Sequence, residues 1–238
     1  MGRVKIARKS TFIDMTAMSD VTVLLLTFFM LTSTFLSKEP ATVITPPSVS
    51  TEKVQETNFV QVLVNPEGKI WLTMNNDTSK NWSNEKMRMA LLDKVSEIYN
   101  ETHTKKISFT PEQKYTFSKL GTFGVPLAQM GAFLDLANEQ EGQTKMDKWL
   151  EGDGVHETGI PIAWNKNDQQ PTEFQMWMKA MRQTDNDNLS QAIKDGSGVA
   201  IKADQNTAFE VIHMVMDNLQ TIHMNKFTLL TALKGAEE

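Results

Sequence analysis

Apolar residues are distributed unevenly along this chain. The first long run, residues 15–36, reads MTAMSDVTVLLLTFFMLTSTFL and holds a single charged residue, Asp20. As a helix it is about 33 Å long, enough to cross a hydrocarbon core of roughly 30 Å. Arg3, Lys5, Arg8 and Lys9 precede the run, and only Lys38 follows it directly. The positive-inside rule therefore predicts a cytoplasmic N-terminus and export of everything after Leu36. A cleaved signal peptide is the rival reading, and the basic start suits it. However, the run is longer than a typical signal h-region, and no small-x-small site separates Leu36 from Lys38-Glu39-Pro40. An uncleaved signal anchor is the expectation.

Beyond the run the pattern changes. Residues 37–57 place Pro40, Pro46 and Pro47 among Ser, Thr and Val, the pattern of an extended, flexible linker. Residues 58–238 are long enough to bury a core. FVQVLV at Phe59–Val64 reads as a strand, Asn65-Pro66-Glu67-Gly68 as a turn, and residues 70–74 as the returning strand of a hairpin. Ser83 is a predicted N-cap with Glu85 in the first turn, and Met87, Leu91, Val95 and Ile98 then form one helical stripe. Residues 113–136 and 171–193 read as largely helical, and residues 142–170 as loop. Near the end, VAIKA at Val199–Ala203 is a strand. Thr207 and Glu210 are placed to form a capping box, with Phe209, Ile212, Met216 and Leu219 along one helix face. Residues 227–233 complete a strand–helix–strand unit. The predicted class is α+β: one N-terminal transmembrane helix, then an exported domain with helices packed on one face of a small β-sheet.

Composition mainly excludes. The net charge of -5 argues against nucleic-acid binding. Without cysteine there is no disulfide, thiolate metal site or Cys nucleophile. His103, His156, His213 and His223 lack metal-ligand spacing. Asp185-Asn186-Asp187-Asn188 resembles the start of a calcium loop but has Ser190 where the turn glycine belongs. Gly152-Asp153-Gly154 is a turn, and no nucleophile triad or phosphate loop stands out. No cofactor, metal or enzymatic activity is expected. The 15 methionines read as adaptable core filler, and Trp149, Trp164 and Trp177 as core rather than a partner surface.

Asp20 is the most informative residue, read either as a carboxylate simply hydrated near the interface or as the one that carries the chemistry. A mid-span Asp costs about 2.5–3.5 kcal/mol on insertion scales, so its carboxylate must face protein or water. Burial favours the neutral form of a carboxyl and hydration the charged one, which is the minimum equipment of a proton carrier. Asp14, at the edge of the run, is expected to be simply hydrated. Thr22, Thr27, Thr32, Ser33 and Thr34 ordinarily bond back to helix carbonyls. Thr27, two turns beyond Asp20 on the same face, is the candidate to extend a polar seam.

These residues carry a family resemblance. FIDMTAMSDVTVLLLTFFMLTS, residues 12–33, resembles the N-terminal signature of ExbD and TolR proteins, with Ala17 where that family usually has Pro. VAIKADQNTAFEVIHMVMDNLQTIHMNKFTLL, within residues 199–233, is similar to a second family segment, V-x-I-x-A-D followed by an amphipathic helix. Residues 58–98 fit less specifically, and residues 101–197 look like an insertion. The resemblance implies a subunit working as a homodimer inside an ExbB-like ring of membrane helices. That subunit uses proton-motive force to energise a TonB-like protein reaching the outer membrane, and Asp20 falls on the family's membrane Asp. The alternatives are a TolR-like envelope-maintenance subunit that grips peptidoglycan and, from another class, a membrane-anchored binding module. The location implied is the inner membrane, single-pass, with a periplasmic C-terminal domain.

Overall fold

The computed structural model describes residues 15–32, 39–48, 57–75, 84–163, 170–184 and 188–233, and divides the chain into two units, Met1–Lys38 and Glu39–Glu238. The basic tail, Asp14, Ser33, Thr34, Ser83, Trp164 and Asp185–Asp187 lie outside the described residues.

The first unit contains helix α1, Met15–Thr32. With 18 residues it rises about 27 Å. Residues 33–36, which the predicted span includes, lie outside the described residues. Among the described residues, no helix is long and apolar enough to cross a membrane.

The second unit is built on a hairpin. Strands β2 (Phe59–Val64) and β3 (Ile70–Asn75) pair antiparallel, Val64 opposite Ile70 and Val60 opposite Met74. Gly68 closes the turn at φ 80, a conformation that costs glycine little, and its N–H donates to the Asn65 carbonyl at 3.0 Å. Strand β5 (Val199–Ala203) lies parallel to β2, and β6 (Thr228–Leu230) parallel to β5. With β4 (Thr122–Phe123) beside β3, the sheet order is β4-β3-β2-β5-β6. Val60, Val62, Val64, Ile70 and Leu72 are buried on one face. Leu63 and Trp71, opposite each other and pointing to the other face, are buried too. Burial on both faces explains why β2 reads as a nearly continuous apolar run.

Helix α2 (Asn84–Thr102) buries Met87, Leu91 and Val95 of the predicted stripe, with Ile98 half-buried. The stretch read as largely helical over 113–136 holds two helices, α3 (Pro111–Lys119) and α4 (Leu127–Asp135), with strand β4 between them. Gly124 explains the break, because a Cβ there would sit 2.3 Å from the Trp71 ring. The backbone must come that close for β4 to join the sheet. The predicted loop 142–170 contains a helix, α5 (Gly142–Glu151), whose Met146, Trp149 and Leu150 are buried at helical spacing. The predicted helix 171–193 is two, α6 (Glu173–Gln183) and α7 (Asn188–Asp195).

Helix α8 (Phe209–Thr221) connects the parallel strands β5 and β6, which completes the expected strand–helix–strand unit. Its start differs from expectation. The Thr207 hydroxyl donates to the Asn65 carbonyl at 3.1 Å, and the N-cap is Ala208, one residue later, so the expected Thr207–Glu210 capping box does not form. The inward face is turned as well: Val215, Asn218 and Leu219 are buried, while Phe209 is exposed. The final strand is split at Thr231. β6 stays in the sheet, and β7 (Ala232–Leu233) pairs in parallel with β1 (Pro47–Ser48) as a separate two-stranded ribbon.

Residues 101–197 are built into the shared core. Phe117 of α3, Phe123 of β4 and Trp177 of α6 are fully buried, with ring centroids 5.0 Å apart for Phe117–Phe123 and 4.6 Å for Phe123–Trp177. Asn218, fully buried on α8, accepts from the Thr172 hydroxyl at 2.6 Å and donates to the carbonyls of Ile162 and Met214.

Candidate functional site

Helix α1 has apolar side chains all round. Val21, Val23, Leu24, Leu25, Leu26, Phe28, Phe29, Met30 and Leu31 are all exposed. Apolar residues thus occur around the whole circumference of the helix. Asp20 is its one charged residue. Neighbouring hydroxyls are satisfied within the helix: Ser19 donates to the Met15 carbonyl at 2.8 Å, and Thr22 to those of Met18 and Ser19. Thr27 lies about 10.5 Å along the axis from Asp20, nearly on the same face. Its hydroxyl donates to the Leu24 carbonyl at 2.9 Å. The hydrogen is spent on the helix, and the oxygen can still accept from another group.

A second cluster organises the start of the other unit. The carboxylate of Asp204, just after β5, accepts from Ile44 N–H at 2.7 Å through Oδ2. Through Oδ1 it accepts from Asn206 N–H at 2.9 Å and Asn206 Nδ2 at 3.1 Å. These bonds, led by the Asn206 and then the Ile44 backbone N–H, hold its carboxyl below the usual range. Gln205 N–H returns a bond to the Ile44 carbonyl at 2.8 Å. Lys202 grips Glu39 with Nζ 2.7 Å from both carboxylate oxygens, and Ala41 and Val43 pack against the core. Residues 39–48 are thus extended, as their prolines require, and docked. The A-D step of the second family-like segment gains a physical role from this geometry, since Asp204 fastens the chain where it enters the domain. The D-x-N spacing at 204–206, which favours a side-chain-closed turn, was the available sequence signal.

The third cluster was not legible in the sequence. Glu173, in the first turn of α6, accepts from Leu127 N–H at the start of α4 at 2.7 Å. Burial raises its carboxyl to about 7; the Leu127 bond opposes that and the charge of Glu157 adds to it. Glu173 borders a cavity of about 220 Å³ with His103, Pro161 and Thr172. Tyr99 stacks on His103 at 4.0 Å and has its phenol raised by burial, then by Glu173. Two other histidines are locally engaged: His213 pairs with Asp217 at 2.9 Å, and His156 with Asp153 in the predicted glycine turn. Asp153 is lowered to about 2, first by His156. Among the described residues, no group of three or more His, Asp or Glu is placed to hold a metal.

The family model described as Biopolymer transport protein ExbD/TolR matches residues 7–234, which includes α1, the Asp204 junction and the block 101–197. No curated protein and no solved structure matches the chain.

Proposed function

Because the chain belongs to the ExbD/TolR family of biopolymer transport proteins, we propose that it is the ExbD-like subunit of an inner-membrane motor. That motor is driven by the proton-motive force and energises TonB-dependent transport across the outer membrane. In this reading residues 15–36 span the membrane once, with the N-terminus in the cytoplasm and the domain in the periplasm. Two copies sit inside an ExbB-like ring and act on a TonB-like transducer. The supporting observation is the lone carboxylate of Asp20 on a helix that is apolar on every side. A passive anchor has no use for it.

The energetics close. Keeping a charged Asp at mid-span costs about 2.5–3.5 kcal/mol, and moving one charge through 100 mV releases about 2.3 kcal/mol. Each unit of pH difference adds about 1.4 kcal/mol. Proton flow is therefore large enough to switch α1 between a packed position with Asp20 neutral and a hydrated position with Asp20 charged. Thr27, on the same face, is the next polar atom along that path.

Asp20→Asn keeps the size of the side chain and much of its hydrogen bonding, but it cannot release a proton. It is expected to co-purify with the ring protein and to abolish energy-dependent uptake in cells. Full uptake by this variant contradicts the proton-carrier role. Intact uptake in cells lacking the whole protein, together with loss of envelope integrity, would instead identify the TolR-like reading.

A further inference from the structure

A groove of about 680 Å³ lies where α6, α7 and α8 end, and its ionisable lining is entirely basic: Lys179, Arg182, Lys194 and His223. The Lys226 side chain lies against Gly196 just after α7; at φ 86 a Cβ on that glycine would meet it at 2.5 Å. Arg182 is fixed in the wall, donating Nη1 to the Ile222 carbonyl at 2.9 Å. Several lysines elsewhere are paired: Lys69 with Glu67, Lys114 with Asp93, Lys145 with Glu139 and Lys202 with Glu39. Among the described residues, no carboxylate pairs with Lys179, Lys194, His223 or Lys226. Helix C-termini attract cations, which accounts for basic residues near the three ends. It does not account for a groove whose described lining holds no acid in a chain of net charge -5.

We infer that this groove binds an acidic polypeptide segment, one presenting several carboxylates along an extended stretch. The surroundings decide against a compact phosphate group. Phosphate sites draw on the N–H groups and positive ends of helix N-termini, whereas here the helix ends are C-terminal and offer carbonyls. The cations are long, flexible side chains spread over separate elements, and the volume matches clefts that take a sizeable ligand. Exposed Gln183 and Thr221 add neutral donors suited to a peptide backbone. This inference does not depend on the motor reading, because its test reads the groove alone.

The full-length protein in neutral detergent is titrated with a fluorescein-labelled Glu-Ser repeat peptide. A Lys-Ser peptide, inorganic phosphate and phosphatidylglycerol vesicles serve as separate arms. The Glu-Ser peptide is expected to bind, to weaken with added salt, and to lose at least tenfold in affinity in Lys179→Glu/Lys194→Glu. Lys105→Glu, an exposed lysine elsewhere, should leave it unchanged. If the double variant loses its thermal transition, Lys194→Gln/His223→Gln takes its place, with at least a threefold loss expected. Equal binding by wild type and the groove variants overturns the inference. So does a preference for phosphate or for vesicles over the peptide. Asp185 and Asp187 precede α7 in sequence; peptide binding that appears only in Asp185→Asn/Asp187→Asn would mean the chain fills its own groove, and would also overturn it.

Discussion

Helix α1 and the unit 39–238 use the same apolar residue types in opposite ways. In α1 the Leu, Val, Phe and Met side chains described are exposed, around one carboxylate. In the larger unit Met74, Met87, Met130, Met176, Met178 and Met181 are buried among Val, Leu, Phe and Trp. The second set finds its apolar environment inside the fold, where burial of such a side chain is worth about 1.5–3 kcal/mol. The first set stays exposed in the described structure. A carboxylate is tolerated in the larger unit where backbone N–H groups hold it, as at Asp204, or where it shares a proton equilibrium near neutrality, as at Glu173.

The contrast predicts that damage to the core leaves α1 untouched. Trp177→Ala removes a fully buried ring that touches Phe117 and Phe123. It should destabilise the unit by about 3–5 kcal/mol in denaturant titration, while co-purification of any folded fraction with the membrane ring stays intact. Loss of ring assembly by a variant still folded would join the two regions that are here held separate.

The next effect in size is a pH dependence. Glu173 is held up at about 7 from an ordinary 4.5, so the folded state binds more protons between those values than the unfolded chain. Its contribution is fully present below about 4.5 and is lost as pH rises through about 7, at no more than about 1.4 kcal/mol per pH unit. Glu173→Gln should flatten that slope in thermal melts at pH 4.5 and pH 7.5. An unchanged slope would remove Glu173 from the proton balance, with Glu157, Tyr99 and His103 the other groups nearby.

Asn218→Ala should cost about 1–3 kcal/mol, because the Thr172 hydroxyl and the Ile162 carbonyl lose a buried partner. Smaller and local is Asp204→Ala. Amide exchange at Ile44 should accelerate while the amides of β2 stay protected. The wild-type tether is present above the ordinary carboxylate range and is lost as pH falls through the depressed value, so acid should reproduce the variant's exchange pattern. Uniform acceleration across the unit would make Asp204 a global rather than a local fastener.

Much of this organisation was readable from the chain. The hairpin, α2 and the β5–α8–β6 unit follow from period and turn chemistry, and Asp20 stands out because a carboxylate is rare among Val, Leu and Phe. What escaped depends on long-range contact. Thr207 is fastened to Asn65, 142 residues away, and the helix takes Ala208 as its N-cap. Gly124 breaks a helical pattern because Trp71 lies across it, and Glu173 is an ordinary first-turn Glu until α4 buries it. The groove of Lys179, Lys194 and His223 draws on three helix ends that sequence order does not place together.

The central claim is that Asp20 exchanges a proton inside the assembled membrane complex. The most direct test is infrared difference spectroscopy of the complex, reading the stretch of a protonated carboxyl as pH is raised and comparing wild type with Asp20→Asn. The account predicts a band in the wild type that disappears as the carboxyl ionises and is absent from Asp20→Asn. Identical difference spectra for the two proteins across the whole pH range would contradict it.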